Sequence, residues 1–191
     1  AEAFRAAQAY PELTIIPGIE LSADIPGDEV HLLGYHLNYL NEVFQQTLHQ
    51  FRQARKTRAR QMVDRLAELD IHIQWDRIKE LAGDGAVGRP HIARAMVEKN
   101  YVSDLKEAFD SYLGRNGPAY VERTKLTPIE ALHLIRDVGG VPVLAHPTYI
   151  RNMDAVLEEL VPEGLVGMEV HYAEYNAATR EFLAQVAHRH G

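Results

Sequence analysis

Apolar and polar positions along this chain follow a helical period, then a strand period, then a long helical stretch, then strands and helices in turn. Ala1–Tyr10 (AEAFRAAQAY) has the spacing of an amphipathic helix without an N-cap, and reads as the second half of one. Leu13-Thr14-Ile15-Ile16 is a short β-rich run that stops at Pro17-Gly18, and Ile19-Glu20-Leu21-Ser22 follows it. Pro26-Gly27-Asp28 is a turn signal, so Val30–Tyr35 is expected to return as a strand. From Leu40 to Glu80 the period is helical, with Leu40, Val43, Phe44, Leu48 and Phe51, then Met62, Val63, Leu66 and Leu69, at steps of three and four. Helical patterning continues through Ile92–Met96 and Leu105–Leu113, between the glycine-containing loops 83–85 and 114–118.

Strand and helix then alternate again. Thr127-Pro128-Ile129-Glu130 combines an N-cap threonine, proline at the first helical position and glutamate at the third, a capping box for a helix over Pro128–Val138. Gly139-Gly140 stops it, and Val141–Ala145 reads as a buried strand ending at His146. A helix over Asn152–Leu160 leads to a strand over Leu165–Tyr172, and Arg180–His190 is helical, with Gly191 after it. This order predicts an α/β fold of parallel βα units with a mostly helical insertion: segments 1–39, 40–120 and 121–191. Both ends read as cuts from a longer chain.

Composition narrows the chemistry. Of 191 residues, 46% are hydrophobic and 25% charged, enough for a sizeable core. The absence of cysteine removes disulfides, thiolate metal sites and thiol nucleophiles together. A net charge of −7 argues against a non-specific nucleic-acid coat, although a local basic patch still attracts phosphate. No apolar run reaches the ~20 residues of a membrane span, and a soluble cytoplasmic protein without membrane partners is the default expectation.

Three residues sit at or near the ends of apolar strands: Glu20, His31 and His146. Such ends line ligand sites in α/β sheets, and imidazole with carboxylate suits zinc, manganese or iron. Glu20 or His31 taken alone reads equally well as a satisfied polar group at a strand end. Arg115-Asn116, in a glycine-rich loop, is a candidate phosphate contact by side-chain chemistry. The basic run Arg52, Arg55, Lys56, Arg58 and Arg60 is expected to be a solvated helix face rather than a nucleic-acid funnel. His36, His49, His72 and His133 are expected to be structural, and Tyr35 and Tyr172 to pack at the core or rim.

Four segments carry a family resemblance. Ile16–Ser22 (IPGIELS), His31–Tyr35 (HLLGY) and Gly139–Pro147 (GGVPVLAHP) resemble successive strand motifs of the PHP (polymerase and histidinol phosphatase) phosphoesterases. Gly88–Arg94 (GRPHIAR) resembles a motif in the helical insert of that superfamily's nucleotide-phosphatase branch. The resemblance implies part of a distorted (β/α)7 barrel holding two or three divalent metals, manganese, zinc or iron. It implies that Glu20 bridges metals, that His31 and His146 are terminal ligands, and that these three are the catalytic centre's share in this chain. Arg89 with His91 would bind substrate phosphate, and Glu169, matching a recurring family glutamate, would support the ligands from behind. The family's other ligand motifs have no counterpart here, which leaves three of nine ligands and a site short of completion. The implied activity is hydrolysis of phosphomonoesters, of a nucleotide or nucleoside bisphosphate, by a metal-activated hydroxide. The alternatives are a 5′-end exonuclease on short RNA or DNA, and a non-catalytic PHP-like binding module.

Overall fold

The computed structural model describes residues 2–26, 28–83, 85–122 and 126–191. The chain forms two compact units, Ala1–Gln45 with Lys125–Gly191, and Gln46–Thr124. After a short helix α1 (Glu2–Ala7), the first unit is built on the strands β1 (Gly18–Ile25), β2 (Asp28–Tyr35), β3 (Val141–Leu144) and β4 (Gly167–Met168). They form one sheet in the order β1-β2-β3-β4.

The expected mixture of strands and helices is present, but its strand directions differ from uniform parallel βα units. β1 and β2 are antiparallel, β2 and β3 are antiparallel, and only β3 and β4 run parallel. Ile25 pairs with Asp28, and a two-residue connection can join only antiparallel neighbours. The parallel pair β3–β4 is joined through a helix, as parallel strands require. The β-rich run Leu13–Ile16 is not a strand. β2 ends at Tyr35, opposite Gly18, and His36 (φ 57°) turns the chain away, so nothing is left for residues 13–17 to pair with. β4 is likewise shorter than the expected Leu165–Tyr172, because β3 offers it only four residues.

One face of the sheet is the core. Leu21, Ala23, Val30, Leu32 and Leu144 are buried, alternating with partly exposed residues as a half-buried antiparallel sheet requires. Against it lies α6 (Pro128–Arg136), which buries Ala131, Leu132 and Ile135. The capping box forms as expected: Glu130 N–H donates to Thr127 Oγ1 at 3.2 Å, and Thr127 N–H to Glu130 Oε2 at 2.8 Å. α6 stops two residues before the expected Val138, where Gly139 (φ 73°) lets Gly140 N–H return to the Ile135 carbonyl at 2.9 Å. Gly34 faces the same helix at very close range, since a Cβ there would sit 2.9 Å from both Cγ1 and Cγ2 of Ile135. Helices α7 (Met153–Glu163) and α8 (Ala177–His190) contribute Val156, Leu157, Leu160, Leu183 and Val186 to the core.

The second unit is helical. α2 (Glu42–Ala67) enters it from the first and is followed by α3 (Trp75–Ala82), α4 (Arg89–Glu98), α5 (Leu105–Ala108) and a π-helical turn, Phe109–Leu113. The helical pattern expected from Leu40 to Glu80 is therefore broken over residues 68–74. Asp70 (φ 62°) ends α2 in a left-handed conformation, with Ile71 N–H returning to the Leu66 carbonyl at 2.9 Å. Met62, Leu66, Ile78, Ile92, Met96 and Leu113 form a separate apolar core. No helix among the described residues is long and apolar enough to cross a membrane.

Candidate metal centre

Strand periodicity assembles the site. Because Leu21, Ala23, Val30 and Leu32 point into the core, Glu20, Ser22, Glu29 and His31 stand on the opposite face. Ser22 is directly across the ladder from His31, and Glu20 across from Leu33, which makes Glu20 the diagonal neighbour of His31. From the other side, Ala145 N–H donates to the His31 carbonyl at 2.9 Å, which draws the next residue, His146, up to the same ladder. His146 has φ 29° and ψ 58°, a backbone region that costs a residue with a Cβ ~1–2 kcal/mol. Its N–H donates to Glu169 Oε2 at 2.9 Å, which helps hold that turn.

The side-chain atoms converge closely. His31 Nδ1 lies 2.8 Å from Glu20 Oε1 and 2.9 Å from His146 Nε2, and His146 Nε2 lies 3.5 Å from Glu20 Oε1. A point ~2.0–2.1 Å from all three atoms exists beside that triangle, the span of zinc–imidazole and zinc–carboxylate bonds. Two imidazole nitrogens and one carboxylate oxygen are therefore placed where a divalent ion would take them, and the donor set fits such an ion. On its other edge His31 Nε2 meets Glu29 Oε1 at 2.9 Å and Ser22 Oγ at 3.1 Å. The hydrogen bond to Glu29 raises the His31 pKa above the usual histidine value; burial opposes it, and the charges of Glu29 and Glu20 add to it. His146 Nδ1 is buried and has no hydrogen-bond partner among the described residues. Around His146 stand Tyr149 and Tyr172, with ring centroids 5.5 and 6.1 Å away. Tyr149 Oη donates to Glu174 at 2.6 Å, which pushes its phenol up to about 12.

The remaining sequence candidates divide between the two units. Glu169 is in the first and touches the backbone of His146 rather than its ring. Arg89, His91, Arg115 and Asn116 belong to the second. Arg89 opens α4 with its guanidinium 5.6 Å from the Phe109 ring centroid and 5.9 Å from that of Tyr120, its Nη1 donating to the Leu113 carbonyl at 3.5 Å. His91 Nδ1 accepts from Gly88 N–H at 3.1 Å, closing the start of α4. Arg115 and Asn116 are exposed in the loop after the π-helical turn. In the basic run, Arg58 folds back to donate to the Val121 carbonyl at 2.6 Å, and Arg60 lies over Trp75, while Arg52, Arg55 and Lys56 are exposed. His133 has a partner that its sequence context hides, Glu163 Oε2 at 3.1 Å. Glu29 and Ser22 escaped sequence reasoning, although strand alternation alone puts Glu29 on the His31 face.

No family model matches the chain. It is 31% identical over 182 residues to the 5′-3′ exoribonuclease Rnm of Escherichia coli, covering 93% of this chain. It is 27% identical over 191 residues to a 3′,5′-nucleoside bisphosphate phosphatase of Chromobacterium violaceum, covering 97% of this chain and 67% of that protein. The chain spans 62% of the length of the exoribonuclease. Among solved structures, a protein assigned as a metal-dependent phosphoesterase from Bifidobacterium adolescentis aligns with TM-score 0.82 at 29% identity, over 99% of this chain and 68% of its own. An amidohydrolase from Chromobacterium violaceum, solved with bound sulfate and no metal, aligns with TM-score 0.82 at 26% identity, over 99% of this chain and 69% of its own. The fold is shared with a solved metal-dependent phosphoesterase and a solved amidohydrolase. In sequence the chain is similar to an exoribonuclease over 62% of that protein's length and to a nucleoside bisphosphate phosphatase over 67%.

Proposed function

We propose that this chain carries part of the catalytic centre of a metal-dependent phosphoesterase, with Glu20, His31 and His146 as metal ligands. The observation that carries the reading is the convergence of Glu20 Oε1, His31 Nδ1 and His146 Nε2 on one sheet face, all within 4.8 Å of one another. A divalent ion held there, manganese, zinc or iron, supplies Lewis-acid activation of water and charge neutralisation at phosphorus. The chain's own residues do the positioning. Glu20 and His31 present their donors from adjacent strands, and Glu169 holds the His146 turn.

The proposed substrate is a nucleotide or nucleoside bisphosphate, cleaved at a phosphomonoester. Tyr149 and Tyr172 support it, because aromatic faces beside His146 offer a stacking surface for a base. Arg89 and His91 are proposed as phosphate contacts on the strength of their motif, and Arg115 with Asn116 on side-chain chemistry. The 31% identity to an exoribonuclease favours a second reading, removal of nucleotides from the 5′ end of short RNA. Assays with manganese on adenosine 3′,5′-bisphosphate and on a 5′-phosphorylated RNA oligonucleotide separate the two. Glu20→Ala and His146→Ala should each abolish activity on either substrate, and activity surviving both changes would refute the ligand assignment.

A further inference from the structure

Metal ligation as proposed uses one nitrogen of each histidine, and the other nitrogen of each must be satisfied some other way. At His31 the nitrogen opposite the triangle, Nε2, meets Glu29 Oε1 at 2.9 Å with Ser22 Oγ 3.1 Å away. Glu29 precedes His31 by two residues on β2 and so shares its face, while Ser22 is His31's ladder partner on β1. Side chains of Glu29 and His31 are only 38% and 26% exposed, so the contact is partly shielded from water. Glu29 touches the edge of the ring that faces away from Glu20 and His146, and it therefore cannot be a fourth member of their triangle.

The geometry points to Glu29 as the positioning residue for His31: its carboxylate accepts the Nε2 proton, so that Nδ1 offers its lone pair to a divalent cation shared with Glu20 and His146. A neutral imidazole that binds through one nitrogen carries its proton on the other, and a carboxylate at that proton fixes tautomer and ring orientation together. The two histidines are thus unequal. His31 is oriented through its ring by Glu29, whereas His146 has no such ring partner among the described residues and is set by its backbone bond to Glu169. This inference rests on the metal reading above.

Zinc titration calorimetry on the full chain tests it. Glu29→Gln should weaken Zn2+ binding by about 10–100-fold, and Glu29→Asp should recover part of the loss. At alkaline pH, where His31 is neutral, metal-free stability should fall by far less than zinc binding in both variants. Unchanged zinc affinity in Glu29→Gln, or a loss matched by an equal drop in metal-free stability, would overturn the role. Side-chain 15N NMR at alkaline pH of the metal-free Glu20→Ala chain, in which that carboxylate no longer faces Nδ1, supplies an independent arm: His31 should be protonated at Nε2, and adding Glu29→Ala should give a mixture of tautomers. His31 protonated at Nδ1 in that Glu20→Ala background overturns the inference whether or not the wild-type chain binds zinc. Protonation at Nε2 with no zinc binding keeps the orienting contact and refutes the ligand triangle instead.

Discussion

Single residues in this chain matter for what they leave out as much as for what they bring. Gly34, in the segment His31–Tyr35, has no ligand to hold; its role is to let α6 approach the sheet. A Cβ added there would sit 2.9 Å from two carbons of Ile135 and 3.2 Å from Ile19 Cγ2, all buried or partly buried. Overpacking of that kind costs ~1–3 kcal/mol, and Gly34→Ala should lose about that much in urea unfolding with the denaturant slope unchanged. In an Ile135→Ala background, where both of those carbons are gone, Gly34→Ala should cost less than it does in the wild-type chain. One short segment thus pairs a proposed metal ligand, His31, with a residue three positions later, Gly34, whose part is packing. Sequence alone singled out the histidine as a candidate, because a polar residue at an apolar strand end is visible in one dimension. Glu29 was not visible in that way, since a glutamate beside a turn reads as solvent-facing until the ring nitrogen it meets is known.

At the scale of elements, signals carried by short-range chemistry were legible and those set by partners were not. α6 starts where its capping box predicts, and the two hydrogen bonds of that box are both made. Thr127→Ala should cost ~1 kcal/mol of stability, read as a shift in the urea midpoint. Glu130 adds a pH signature. Its carboxylate is held below the usual range by the Thr127 backbone N–H, then by the Thr127 hydroxyl. A depressed folded-state pKa stabilises above the unfolded value, and the contribution is lost as pH falls through the folded one. Glu130→Gln should therefore be less stable than wild type near roughly pH 7, with the gap closing below roughly pH 4. The break between α2 and α3 lacks any such signal. Residues 68–74 contain neither glycine nor proline, and the left-handed position falls on Asp70, a residue type that tolerates it. Leu13–Ile16 shows the converse: β propensity without a partner strand leaves Leu13 54% and Ile16 49% exposed.

For the whole molecule, helical and strand spacings differ plainly along the sequence, and the structure divides into two compact units, one of them over Gln46–Thr124. Strand direction was harder to read, because it depends on which neighbour each strand finds. The two units also carry separate apolar cores, one on the sheet face around Leu21, Leu32 and Leu144, the other around Met62, Ile78 and Met96. All three proposed ligands belong to the first unit. A ligand that binds only the native state stabilises whatever opens cooperatively with its site, by ~2.7 kcal/mol at a hundredfold excess over Kd. Regions that open independently gain nothing from it. Saturating zinc should therefore slow amide hydrogen exchange at β1, β2 and β3, whose ladders carry Glu20 and His31 and lead into His146. Amides of α3 and α4 should exchange at their metal-free rates. The same zinc added to His146→Ala should leave both sets unchanged, since one vertex of the triangle is gone. Protection rising equally in α3 and α4 would mean that the two cores open as one, and protection in the helices alone would place the ion somewhere other than Glu20, His31 and His146.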